Sequence, residues 1–299
     1  MPVLARRLLV KLALCSLAAR RAAAAQEFTW EPDISPSGPV LVLVSLGREE
    51  AWVYRNGIEI GRTRVSTGIP GHPTPTGVFT ILSKSIDHHS SIYDEASMPY
   101  AERLTWDGVA LHAGIVPGYP SSHGCVHLPL DFAKDLYAVT EVGTTVAIFA
   151  GNAAPAEVYD ADLTLGTSGT ATEWRLQPEL SPSGPVSLLL SGADRRLYVY
   201  RNGVEIGTAE IGLRAPEQPV PTLLFHALEP GPGGAPRWMR VEGEETGAGF
   251  LGRIEVPPGF AQQLDPLLTV GTSFYVTPAP AGPETRTGPG FTVVATRPA

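Results

Sequence analysis

Around Cys125 the chain reads Leu111-His112-Ala113-Gly114 and then Ser121-Ser122-His123-Gly124-Cys125-Val126-His127-Leu128, so three of its seven histidines surround one cysteine. A thiol is only a few per cent ionised at neutral pH. A histidine within hydrogen-bond reach can take its proton and later hand it to a leaving amine. Gly124 lets the backbone approach a carbonyl closely, leaving neighbouring N–H groups for a developing oxyanion. The chain has two cysteines, Cys15 and Cys125. Cys15 lies in a stretch that reads as a targeting segment, and once that is removed Cys125 has no partner for an internal disulfide. It is then either buried and inert or kept for its reactivity. Two other readings stand beside catalysis. His123, Cys125 and His127 share one face of an extended segment and, with His112, could make a zinc site. His112 could also be a satisfied polar residue at a strand end.

These residues resemble the L,D-transpeptidases, whose catalytic domain is also called YkuD. Ser122-His123-Gly124-Cys125 followed by an apolar residue is similar to the family's signature, and His112, 13 residues before the cysteine, stands where its upstream catalytic histidine lies. Ser66-Thr67-Gly68, Thr74-Pro75-Thr76-Gly77-Val78-Phe79 and Gly143-Thr144-Thr145-Val146 fall in the family's order, so the resemblance covers residues 40–149.

The resemblance implies that Cys125 is the nucleophile, that His112 is general base and acid, and that the Ala113 carbonyl orients the imidazole. His123 and Gly124 would shape the oxyanion site. Ser122, His127 and Tyr100 would meet substrate, Tyr100 through a Met98-Pro99-Tyr100 segment like the one lining the family's substrate path. The implied substrates are peptidoglycan stem peptides. The thiolate attacks a donor tetrapeptide at its third, diamino residue and expels the terminal D-alanine. An amine of a neighbouring stem, or of an envelope protein, resolves the thioester. No metal or organic cofactor is required. Two features depart from the family: His127 stands where Arg or Asn is usual, and the His112–Cys125 interval is short, with Pro117-Gly118-Tyr119-Pro120 in it. They keep open an L,D-carboxypeptidase or hydrolase; a degenerate second copy further along the chain keeps open a wall-binding module without activity.

The elements that must position these residues read as mainly β. Short apolar runs rich in Val, Ile, Thr and Tyr are punctuated by 32 glycines and 29 prolines, as in strand-rich chains. Asp33-Ile34-Ser35-Pro36-Ser37-Gly38-Pro39-Val40 recurs as Glu179-Leu180-Ser181-Pro182-Ser183-Gly184-Pro185-Val186, an offset of 146 that also relates Tyr54-Arg55-Asn56-Gly57 to Tyr200-Arg201-Asn202-Gly203. Each copy predicts a strand, a second strand ending in Tyr-Arg, an Asn-Gly hairpin and a third strand. Phe132-Ala133 and Val142-Gly143-Thr144 then match Phe260-Ala261 and Val270-Gly271-Thr272 at an offset of 128, so copy two has lost 18 residues. The reading places His112, His123, Cys125 and His127 inside the lost stretch. The expected architecture is a YkuD-like β-sandwich or barrel with a short helix after the cysteine, followed by a truncated β-rich repeat. The expected bounds are an export signal over 1–25, a catalytic domain over 26–150, a linker over 151–172 and a non-catalytic repeat over 173–299, with a last edge strand near 291–296. Residues 86–91 are expected to form a loop over the site, and His72, His88, His89 and His226 to lie on surfaces or loops. Trp30 and Trp174 are expected as core anchors.

Residues 1–25 hold Arg6, Arg7, Lys11, Arg20 and Arg21 and no acid. With the apolar run 12–19 and Ala23-Ala24-Ala25 they resemble a twin-arginine export signal, which places the protein in the periplasm or envelope. A lipoprotein reading through Cys15 fits less well, because Leu14 stands where a small residue is expected. Removal of the segment leaves 17 basic against 30 acidic residues, moving the formal balance from −8 to −13. An acidic chain without a basic block has no nucleic-acid footprint. No apolar run in it approaches a membrane span.

Overall fold

The computed structural model describes residues 28–90, 96–150, 157–159, 165–167, 173–202, 204–234, 236–242, 247–281 and 292–296. The expected export segment lies outside them. The fold is mainly β.

The first half begins with β1 (Phe28–Trp30), β2 (Val40–Ser45), β3 (Glu50–Arg55), β4 (Ile58–Arg64) and β5 (Thr76–Thr80). Then come β6 (Ser83–His89), β7 (Ser97–Arg103), β8 (Ala110–Ala113), β9 (Val126–Leu128), helix α1 (Leu130–Val139) and β10 (Thr145–Phe149). The second half contains β11 (Glu157–Tyr159), β12 (Gly166–Thr167), β13 (Trp174–Leu176), β14 (Val186–Ser191), β15 (Arg196–Arg201), β16 (Val204–Glu210), β17 (Gly212–Leu213), β18 (Leu223–Ala227) and β19 (Trp238–Glu242). It ends with α2 (Gly247–Leu251), β20 (Ile254–Val256), α3 (Pro258–Leu264), β21 (Ser273–Thr277) and β22 (Thr292–Thr296).

Two sheets repeat one plan. The first runs β1-β4-β3-β2-β10-β5-β22; the second, read from its far edge, runs β13-β16-β15-β14-β21-β18-β19-β11. In each, the long hairpin pairs antiparallel and the strand after the helix joins in parallel. The hairpin turn explains why its residues recur in both copies. Asn56 and Gly57 take φ of 49° and 83°, the left-handed pair of a tight turn. A Cβ on Gly38 would lie 2.6 Å from Asn56 Cβ, and one on Gly184 would meet Asn202 Cβ at the same 2.6 Å.

Strand β2 is apolar without alternation because both of its faces are covered. Val42 and Val44 face the first core with Phe79, Phe132 and Ile148. Leu41 and Leu43 face the other way and, with Trp52, Tyr54, Val78 and Ala147, pack on Leu189, Tyr198, Leu224, Met239 and Tyr275 of the second sheet. The copies therefore stack face to face. A third core, around Leu188, Leu190, Phe225, Phe260 and Phe274, fills the far side. Trp30 packs edge-on against Phe132 at 5.2 Å, as Trp174 does against Phe260 at 5.9 Å.

Several expectations are corrected. Residues 86–89 belong to β6, paired antiparallel with β7, and are not loop. Within the expected linker, β11 pairs with β19 and β12 with β20. Strand β22 does form an edge, but of the first sheet, against β5. Copy two has not lost the strand after the cysteine, because β20, Pro257 and α3 follow one another as β9, Pro129 and α1 do. Gly212 pairs with Glu255 as Ser66 bridges to His127. Cys125 and His127 are thus replaced by Arg253 and Glu255, and the deletion lies upstream. Arg253 donates to the Ala215 carbonyl at 2.8 Å.

His226 is buried on β18, 2% exposed. Its Nδ1 lies 3.3 Å from Ser273 Oγ, itself 3.2 Å from Thr145 Oγ1 across the interface. Burial lowers its pKa from 6.5 to about 4. The unfolded chain takes up this proton near 6.5, whereas the folded chain resists to about 4. Stability held by this group is complete above the upper value and is lost as pH falls through the window. That span is worth roughly 3 kcal/mol. His226→Gln should therefore flatten the acid side of the stability profile by about one proton. Urea titrations between neutral pH and the lower limit check this; an unchanged slope contradicts it.

Candidate active site

Strand β8 carries His112 and β9 carries His127, and their parallel register sets the two residues opposite each other. Side chains opposite each other share a face, and the rings meet at 4.8 Å and 66°. One register step back sets Cys125 beside Ala110; burial raises the thiol pKa, a backbone hydrogen bond with Ala110 opposes the rise, and the charge of Asp107 adds to it. Cys125 is half-buried against Met98, Ala101 and Ala110. Its Sγ rests 3.7 Å from the Gly108 carbonyl.

His112 is buried, and its Nδ1 lies 2.8 Å from the Ala113 carbonyl. A carbonyl only accepts, so Nδ1 carries the proton and Nε2 keeps its lone pair. Burial, opposed by that bond and aided by His127 and His88, lowers the pKa to about 4. Burial thus disfavours the charged form of both groups, the imidazolium of His112 and the thiolate of Cys125. For His127, burial lowers the pKa, the bond of Nδ1 to the Ile115 carbonyl at 3.2 Å opposes it, and His123 adds to it. Gly114 leaves room for this ring, since a Cβ there would lie 2.7 Å from His127 Cγ.

The turn bearing the thiol is braced from several sides. Ser122 Oγ accepts the Gly124 N–H at 3.1 Å and donates to the Cys125 carbonyl at 2.5 Å. Gly124, at φ 109°, needs the left-handed region. Its N–H is engaged by Ser122, which leaves the Cys125 amide as the next donor for an oxyanion. Thr74 Oγ1 accepts the Gly68 N–H at 2.8 Å and lies 3.4 Å from the Cys125 carbonyl. The N–H groups of Ser121 and Ser122 bond the Thr67 carbonyl at 3.0 and 2.9 Å. Ser66 Oγ holds the Tyr119 carbonyl at 2.7 Å. The Ser-Thr-Gly and Thr-Pro-Thr-Gly segments thus form the frame of this turn.

Not every expected residue converges. His123 is exposed and turned towards His72, with ring centroids 5.0 Å apart; His72, expected on a loop, is thereby part of the rim. Tyr100, at φ 54°, breaks the alternation of β7 and packs on Tyr137 at 5.8 Å. Met98 takes the place beside the thiol. Among the described residues, no three His, Cys, Asp or Glu side chains are grouped so as to hold a metal ion. No helix among them is long and apolar enough to cross a membrane. Residues missed from sequence include Asp107, whose carboxylate acts on the thiol, and Glu49, a buried carboxylate in the β2–β3 turn.

Residues 39–148 match the family model of YkuD, the L,D-transpeptidase catalytic domain. L,D-transpeptidase 1 of Mycobacterium tuberculosis is 30% identical over 129 residues, covering 38% of this chain and 51% of that protein. The chain thus spans about half the length of the curated relatives it matches. Among solved structures, an L,D-transpeptidase from Mycobacterium smegmatis is 27% identical with a TM-score of 0.36, covering 38% of this chain and 60% of that one. The L,D-transpeptidase from Stackebrandtia nassauensis is 30% identical with a TM-score of 0.35, covering 45% and 64%.

Proposed function

We propose that the YkuD segment of this chain is an exported cysteine acyltransferase acting on peptidoglycan stem peptides in the cell envelope. The observation that carries this reading is the neutral His112, with Nδ1 tied to the Ala113 carbonyl, set on the strand beside the turn that bears Cys125. In this reading the Cys125 thiol, which rests 3.7 Å from the Gly108 carbonyl, gives its proton to His112 Nε2. The sulfur then bonds to the carbonyl carbon of the third residue of a donor tetrapeptide. The C–N bond to the terminal D-alanine breaks, and its amine leaves with the proton held by His112. The Cys125 amide meets the oxyanion. An acceptor amine attacks the thioester, returns a proton through His112 and restores the thiol. His123 and His127 flank the approach, and Ser122 and Gly124 set the turn.

In this reading the catalytic domain takes residues 26–150, and residues 173–299 are chiefly a copy that has exchanged the nucleophile for Arg253. Its sheet serves as a wall behind β2 and β3. Water as acceptor is the second reading, favoured by the short loop between His112 and Cys125 and by His127 in place of a cationic or amide side chain. Purified protein incubated with tetrapeptide stems should yield cross-linked dimers and free D-alanine by mass spectrometry. Trimmed tripeptides without dimers select the hydrolase, and unaltered tetrapeptides reject both.

A further inference from the structure

We propose that Glu49 is a positioning residue for the nucleophile turn, acting through Thr67. The inference takes Cys125 as the nucleophile of the reading above. Glu49 sits in the β2–β3 turn at φ 50° and is 7% exposed. A buried carboxylate is retained only when its oxygens are satisfied. Here Oε2 accepts the Thr67 N–H at 2.8 Å, and Oε1 accepts the Thr67 hydroxyl in a short bond. With both of these groups held, the Thr67 carbonyl faces the other way and receives the N–H groups of Ser121 and Ser122. Ser122 in turn fixes the Gly124 amide and the Cys125 carbonyl. One chain of hydrogen bonds therefore leads from Glu49 to the residue bearing the thiol.

The second copy supplies a control inside the molecule. Arg195 stands at the equivalent place with φ 52°. The backbone contact is the same, Ile211 N–H to the Arg195 carbonyl at 3.0 Å against Val65 N–H to the Glu49 carbonyl at 2.9 Å. The turn thus forms without a carboxylate. The residue equivalent to Thr67 is Leu213, which has no hydroxyl, and the position of Cys125 is Arg253. A carboxylate is present where there is a nucleophile turn to hold, and absent where there is none.

The test uses p-nitrophenyl acetate, a small ester that needs no peptidoglycan recognition. The Cys125 sulfur bonds to the acetyl carbon, p-nitrophenolate leaves, and the thiol proton passes through His112 to solvent. In Glu49→Ala the burst rate constant at saturating ester should fall about 10- to 100-fold, as for a slightly misplaced reacting group, with little change in half-saturation. Alkylation of Cys125 by iodoacetamide, which requires no oxyanion alignment, should change less than about threefold. Glu49→Gln can accept from the Thr67 N–H and donate to its hydroxyl, so it should restore the burst to within about threefold. Arg195→Ala should leave it unchanged. If Glu49→Ala does not fold, Glu49→Asp, one methylene too short to hold both groups, takes its place with the same expected slowing. A wild-type burst in Glu49→Ala, or in Glu49→Asp where that is used, overturns the proposal. So does a Gln variant as slow as Ala. A protein that bursts with the ester yet ignores tetrapeptide stems sinks the peptidoglycan reading and leaves Glu49 in its role. A wild type whose Cys125 takes no acetyl group overturns both.

Discussion

Cys125→Ala should reduce D-alanine release from tetrapeptide stems to background, a loss of at least about 10⁴-fold, because no other group can carry the acyl intermediate. Among the described residues Cys125 is the one free cysteine. The fold should tolerate the change. The side chain is half-buried at the margin of a small cluster with Met98, Ala101 and Ala110, so deleting one sulfur should cost about 1 kcal/mol or less. The second copy supports this expectation, since it builds the same strand and helix after Arg253. Near-normal thermal unfolding with no turnover is the expected result. Residual turnover well above background would mean that Cys125 is not the nucleophile.

His112→Gln is expected to lower turnover about 10²- to 10⁴-fold, the usual worth of a positioned general base. Glutamine can still donate to the Ala113 carbonyl, so the loss reports proton transfer and not a broken strand end. The pH profile separates the two effects. In the wild type the imidazole remains neutral until pH falls to about 4, so the acid limb should lie near that value and not near the ordinary 6.5. Activity is present above the limb and lost below it. In the variant that limb disappears. Turnover should instead climb on the alkaline side as hydroxide ionises a thiol that burial holds above its usual pKa. An unchanged profile in His112→Gln would remove His112 from the reaction.

What could be read from sequence depended on whether the signal was local. The Ser-His-Gly-Cys turn and its upstream histidine are short and chemically unusual; the histidine lies on β8 and the turn leads directly into β9, its parallel neighbour. The repeat was legible because turn residues such as Gly38 and Asn56 touch, and neither can be exchanged without moving the other. Strand β6 was mistaken for a loop because its polar run Asp87-His88-His89 lacks apolar alternation; it is held by pairing with β7, a partner distant in sequence. His226 gave no local sign of burial, since its environment is made by Ser273 and by the opposed sheet. The place of Tyr100 against Tyr137 could not be read from the pattern of β7, because one positive φ at a non-glycine residue reverses the alternation that places side chains on a strand. Glu49 was passed over because its partners, Thr67 and through it Ser121 and Ser122, lie far along the chain.

The second copy now has a physical role independent of chemistry. Without it, Leu41, Leu43, Trp52 and Tyr54 would face solvent as an apolar sheet surface; with it, the strands that anchor the Glu49 turn are covered on both faces. The central claim is an acyl group on one sulfur. Intact-mass measurement of the protein quenched in acid during turnover of a tetrapeptide stem tests it most directly. The account predicts an adduct equal to the donor less D-alanine, mapped to Cys125 and absent from Cys125→Ala. Turnover of the stem with no adduct at any time, or an adduct that persists in Cys125→Ala, would contradict it.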